Sequence, residues 1–228
     1  MKWFYEFFRW YAIVTGYLFQ LVLFKRKTYY EDGARRRPWR RGGALIICNH
    51  YNFYDYMMSL FLVLPRKLYV VASEWSFRNK LITLGVRFFG AIKADRISGD
   101  MSFVEQSANM IRRGRIVQIF PEGRNTDDGE LQAFKPSYIL IANRAECPII
   151  PIVTDGNYGF FKRVRVIVGK EIDLSEHLDC SSGAVPSKKE LARVNDIVRN
   201  RMLDLRAQLE SIKAAEKAKK CKTKEKQA

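Results

Sequence analysis

Five short runs of β-branched and aliphatic residues constrain this 228-residue chain more than any other feature. They are Ala44–Cys48, Leu68–Ala72, Ile116–Phe120, Ile149–Val153 and Val164–Val168, and segments with helical patterning fall between them at Tyr56–Leu64, Asp100–Arg113, Pro136–Arg144 and Lys188–Ile212. Pro136 suits a first helical position, and Arg112-Arg113-Gly114 is a helix stop. Strands alternating with helices predict an α/β fold, a single domain with a central mixed β-sheet flanked by helices. The length is enough to bury a sizeable core. A hydrophobic fraction of 47% excludes wholesale disorder.

The charge is less ordinary. Forty Lys and Arg oppose 24 Asp and Glu, a formal surplus of +16, which points to a polyanionic partner. Most of it sits in two stretches: residues 25–41 carry a net +6 and residues 213–228 a net +5, so the rest of the chain is nearly balanced. No zinc-finger spacing, basic zipper or aromatic RNA-binding strand accompanies the charge, so nucleic acid is not the expected partner.

The N-terminus narrows the choice. Residues 3–24 hold 10 of the chain's 30 aromatic residues, and as a helix they would be about 33 Å long. Lys2, Glu6, Arg9, Gly16 and Gln20 share one narrow stripe of that helix, interrupted only by Ile13. Such a stripe suits a helix that lies in a membrane interface or packs its polar side on protein; a spanning helix is compatible as well. The cationic cluster that follows adds about 1 kcal/mol per basic group near an anionic lipid surface. The expected organisation is a membrane-anchoring helix over 1–24, a basic linker over 25–41, a catalytic domain over 42–212 and a Lys-rich tail over 213–228. An excess of Lys and Arg after the hydrophobic segment places the domain on the cytoplasmic side of the cell membrane.

The four cysteines lack metal-ligand or disulfide spacing, and neither a metal nor a cofactor is expected. Of the two histidines, His177 lies in a polar stretch and reads as a surface or packing residue. His50 directly follows the apolar run Ala44–Cys48, at the position where ligand crevices open in α/β sheets. Asp55 lies five residues on, about 140° away on a continuous helix, so pairing the two requires a turn between strand and helix. A carboxylate there would fix the imidazole tautomer and stabilise the imidazolium. A second candidate group, Phe-Pro-Glu-Gly-Arg at 120–124, ends another strand run. Gly123 permits close backbone approach, Arg124 offers a planar fork for phosphate, and Glu122 could orient that guanidinium or accept from a substrate hydroxyl. Asn49 and neighbouring backbone amides are candidate oxyanion donors.

Taken together, His50-x4-Asp55, Gly90–Arg96, Phe120–Arg124 and the Pro-rich Cys147–Ile152 resemble, in this order, the four blocks of the glycerolipid acyltransferase family, over roughly residues 42–170. The resemblance implies transfer of a fatty acyl chain from acyl carrier protein or coenzyme A to a lysophospholipid, foremost 1-acyl-sn-glycerol 3-phosphate, giving phosphatidic acid. It implies His50 as general base with Asp55 holding it, and acceptor binding by Glu122, Gly123, Arg124 and Arg96. Glycerol 3-phosphate or another lysophospholipid is the alternative acceptor; a non-catalytic membrane-binding module is the alternative class. Two positions depart from the family's pattern: Asn52 stands where Ser is common, and Ser137 where Gly often occurs.

Overall fold

The computed structural model describes residues 2–23, 25–95, 99–126, 130–178 and 186–225. All five expected strands are present, and two more join them. In chain order they are β1 (Lys27–Tyr30), β2 (Ala44–Cys48), β3 (Leu68–Ser73), β4 (Ala91–Ala94), β5 (Ile116–Ile119), β6 (Ile149–Thr154) and β7 (Arg165–Val168). They form one mixed sheet in the order β1-β7-β6-β2-β5-β3-β4. β6, β2, β5, β3 and β4 are parallel, β7 runs antiparallel to β6, and β1 runs parallel to β7. The two additional strands are four residues each and carry Lys27 and Lys93, which hides them in a reading based on apolar runs. β1 lies within the segment expected to be a basic linker.

Among the described residues six α-helices accompany the sheet: α1 (Lys2–Leu23), α2 (Phe53–Leu62), α3 (Lys80–Phe88), α4 (Ser102–Arg112), α5 (Ser137–Ala145) and α6 (Lys188–Glu225). Alternate strand side chains fall into two cores. Leu45, Ile47, Val117, Ile119 and Val153 pack with α4, α5 and α6 on one face. Ile46, Cys48, Ile116, Ile150 and Ile152 pack with α2 and Trp39 on the other. Covering both faces explains why the central strands are mostly apolar, with Gln118 of β5 and Thr154 of β6 as buried polar exceptions. Gly43, just before β2, is required by a close approach, since a Cβ there would lie 1.9 Å from the carbonyl oxygen of Ile111 at the end of α4.

α1 is oriented with its polar stripe inward. Ile13 and Gln20 are buried, Glu6 pairs with Lys67, and Gly16 lies against Phe61 of α2. Phe7, Trp10, Tyr11, Val14, Tyr17, Leu18 and Leu21 are exposed. Among the described residues no helix is long and apolar enough to cross a membrane.

At the other end of the chain, α6 continues through the Lys-rich segment to Glu225. Glu216 clamps it to the sheet edge. Its carboxylate accepts from Lys27 Nζ, from Tyr29 Oη at 2.5 Å and from Arg165 Nε at 2.8 Å, joining β1, β7 and α6. Lys27 foremost, then Tyr29 and Arg165, holds the carboxyl down from 4.5 to about 2. A depressed native pKa stabilises the fold above the unfolded value and loses that stabilisation as pH falls through the native one. The urea midpoint of the wild-type protein should therefore decline between pH 4.5 and about 2. The corresponding slope should be shallower in Glu216→Gln.

Candidate active site

The connections after β2 and β5 leave in opposite directions. The chain passes from β2 through α2 to β3, and from β5 through α5 to β6, on opposite faces of the sheet. The carboxyl ends of these adjacent strands thus flank a crevice of the kind in which α/β proteins bind ligands. His50 follows β2, and residues 120–124 follow β5.

A turn joins β2 to α2 as the His50–Asp55 spacing requires. Asn52 caps α2, its Oδ1 accepting the Tyr54 N–H at 2.8 Å, and Asp55 completes the capping box by accepting the Asn52 N–H at 2.7 Å. Asn and Ser serve this position about equally well, which accounts physically for Asn52. Asp55 Oδ2 also accepts the Tyr51 N–H at 2.6 Å and lies 3.1 Å from His50 Nδ1. Its other oxygen, Oδ1, accepts Tyr158 Oη at 2.6 Å. Asp55 is completely buried and sits in the first turn of α2.

His50 is fixed on every side but one. Its N–H donates to Glu122 Oε1 at 3.0 Å, its carbonyl accepts the Thr126 N–H at 2.9 Å, and its ring stacks on Phe120 at 3.9 Å between centroids. With Nδ1 committed to Asp55, Nε2 is the nitrogen left to exchange a proton with a ligand, and the carboxylate would stabilise the resulting imidazolium.

Glu122 is used differently from the sequence expectation. Its two oxygens accept backbone N–H groups, from His50 and, at 3.0 Å, from Gln132, so it braces the β2 turn against the loop preceding α5. Burial pushes its carboxyl above the usual range, against the pull of those two N–H groups. Arg124 instead donates to Gln132 Oε1 at 2.8 Å and is exposed. Gly123 adopts φ +70° directly after the Pro-Glu turn. Asn49 is committed elsewhere: its amide donates to the Thr154 carbonyl at 3.0 Å and accepts the Thr154 N–H at 2.9 Å, tying β2 to β6. Its side chain is buried at the strand junction, with one Nδ2 hydrogen not used by Thr154. Arg96 lies outside the described residues. Burial pushes the Cys48 thiol well up, which leaves it an inert core group.

His50, Gly123 and Arg124 border a cavity of about 1020 Å³. Much of its wall is apolar, including Val71, Val86, Phe89, Met101, Phe103 and Leu140; Arg124 after β5 and Lys135 and Ser137 at the start of α5 add polar groups. Neither Tyr158 nor Gln132 stands out in the sequence. They approach through strand order rather than local spacing, although Tyr158 comes shortly after the carboxyl end of β6, a position of the same type that flagged His50.

The sequence profile of the family described as Acyltransferase matches residues 27–155, more than half of the chain. The protein belongs to the acyltransferase family. Among curated proteins, the chain is 24% identical over 175 residues to a 1-acyl-sn-glycerol-3-phosphate acyltransferase of Bacillus subtilis (strain 168), covering 75% of this chain and 84% of that one. It is 32% identical over 131 residues to the human 1-acyl-sn-glycerol-3-phosphate acyltransferase beta, covering 55% of this chain but only 46% of that protein. The fold resembles the crystal structure of the 1-acyl-sn-glycerophosphate acyltransferase PlsC from Thermotoga maritima, with a TM-score of 0.56 at 18% identity over 83% of this chain and 73% of that one.

In this acyltransferase, Tyr158 is the sole donor to Asp55 Oδ1 among the described residues. Tyr158→Phe removes only that hydroxyl. A charged oxygen then stays buried without a donor, which costs about 1–3 kcal/mol, so the urea midpoint at pH 7 should fall accordingly.

Proposed function

We propose that the protein transfers a fatty acyl chain from a thioester to the free hydroxyl of 1-acyl-sn-glycerol 3-phosphate, producing phosphatidic acid, with His50 as general base. The observation that carries this reading is the His50–Asp55 pair at the edge of a large, mostly apolar cavity that also holds Arg124 and Lys135. At about 1020 Å³, the cavity is at the upper end of the ~300–1,000 Å³ usual for small-ligand sites, as a lipid substrate requires.

Nε2 of His50 takes the acceptor's hydroxyl proton as the oxygen attacks the thioester carbonyl carbon. The tetrahedral intermediate collapses with cleavage of the carbon–sulfur bond, and the imidazolium returns the proton to the departing thiolate. Asp55 holds the imidazole and stabilises its cationic form. The substrate supplies the nucleophile, so no acyl-enzyme is required. Arg124 and Lys135, which both line the cavity, would meet the acceptor's phosphate, while the Phe89 and Phe103 side of the cavity suits an acyl chain. The donor is a fatty acyl thioester of coenzyme A or acyl carrier protein. The outward apolar side of α1 and the basic residues after it support attachment to an anionic membrane, with the catalytic domain on its cytoplasmic side. The relatives named 1-acyl-sn-glycerol-3-phosphate acyltransferase favour this acceptor over glycerol 3-phosphate.

His50→Ala should lower thiol release from an acyl thioester by at least the ~10²–10⁴-fold typical of general-base catalysis, with an unchanged circular dichroism spectrum. Turnover equal to wild type would refute the mechanism. Arg124→Ala should raise KM for the phosphate-bearing acceptor about tenfold or more, as loss of a charge-assisted contact predicts, with little change in KM for the thioester.

A further inference from the structure

The loop joining β6 to β7 presents two different sides. Its inner side belongs to the site, where Tyr158 donates to Asp55 and Asp155 pairs with Arg165 at 3.1 Å. Its outer side carries Phe160 and Phe161, which are 69% and 80% exposed. Phe161 also has φ +61°. A residue with a Cβ pays about 1–2 kcal/mol in the left-handed region, and an exposed ring recovers none of it inside this chain. Glycine would remove both the strain and the exposed apolar surface.

The two rings project from a braced turn. Asn157 Nδ2 donates to the Arg163 carbonyl at 3.1 Å, Lys162 N–H to the Gly159 carbonyl at 3.1 Å, and Asp155 N–H to the Arg165 carbonyl at 3.1 Å. Lys162 and Arg163 follow the rings and are exposed. Lys25, just beyond α1, is exposed too, and its N–H donates to the Lys162 carbonyl at 3.0 Å. The loop therefore stands beside the exit of α1, whose outward side is apolar. The acids that meet this region, Asp155 and Glu216, are committed to Arg165 and Lys27. Its tip is thus an aromatic pair within a cationic surround.

We propose that the 160–163 loop is a second lipid-docking element, distinct from α1, which inserts Phe160 and Phe161 into the headgroup region of an anionic bilayer while Lys162, Arg163 and Lys25 meet its phosphates. Aromatic rings favour that depth, and neighbouring basic groups favour anionic lipid. The reading rests on a membrane-borne acceptor: through Tyr158, the same loop that meets lipid also abuts the Asp55–His50 pair. Docking there brings the bilayer surface and the catalytic pair into a fixed relation.

The test is flotation of the full chain with phosphatidylcholine vesicles, with and without phosphatidylglycerol, alongside turnover of a dispersed short-chain lysophosphatidate. The double variant Phe160→Ser/Phe161→Asn keeps a residue type that tolerates φ +61°, so its thermal midpoint should match or exceed wild type. Its partition onto anionic vesicles should fall about tenfold or more, as loss of two buried rings predicts. Turnover of the dispersed acceptor should be unchanged. Lys162→Glu should lower partition onto anionic vesicles and leave binding to pure phosphatidylcholine unaltered. Unchanged partition of the double variant would overturn the proposal. So would equal loss of turnover on the dispersed acceptor, or lipid-free self-association of wild type that the double variant abolishes, which would identify a second copy as the occupant. A wild-type protein that partitions through this loop but acylates none of the acceptors would refute the catalytic reading alone.

Discussion

Four hydrogen bonds converge on the carboxylate of Asp55, and most of the site depends on them. The Tyr51 and Asn52 amides begin α2 there, the His50 ring is aligned there, and Tyr158 joins the β6–β7 loop to it. A buried carboxylate is tolerable only when its oxygens are supplied with donors. Here the supply comes from two segments, the turn at residues 50–52 and the β6–β7 loop, so their relative positions are fixed by the same carboxylate. Helix capping and imidazole orientation are one arrangement, and replacing Asp55 would disturb both at once.

The sheet order explains why those segments meet. Because the chain leaves β2 and β5 in opposite directions, two strand ends open onto common space, one delivering His50 and the other Glu122 to Arg124. Glu122 then locks the two together through backbone amides. Its carboxylate holds the site's walls, while the exposed Arg124 beside it remains turned to the cavity. Two residues of one short segment thus differ, Glu122 being committed to backbone amides while Arg124 lines the cavity.

Much of this was legible in the sequence because the central strands are mostly apolar on both faces and chemistry-bearing residues follow them immediately. The turn between His50 and Asp55 followed from helical geometry alone. What escaped has physical reasons. β1 and β4 are short and carry lysines. α3 contains Gly85 and two β-branched residues, Ile82 and Thr83, which weaken its pattern. Glu122 reads as a ligand-binding acid because local spacing contains no sign of the backbone amides that reach it from residues 50 and 132. Asn49 reads as unpaired because its partner, Thr154, is brought alongside only by the parallel pairing of β2 with β6. The polar stripe of α1 was visible, and the structure places it against α2 and Lys67.

That orientation of α1 makes the protein's stability a property of its surroundings. A helix that turns its few polar groups inward leaves seven large apolar side chains, Phe7 through Leu21, to whatever fluid is outside. In water those side chains gain less from burial than Ile13 does on the inner side of the same helix. An amphiphile that covered them in this arrangement, and bound the unfolded chain less tightly, would stabilise the native protein by mass action. The free energy of folding would then depend on the concentration of that amphiphile as well as on the polypeptide.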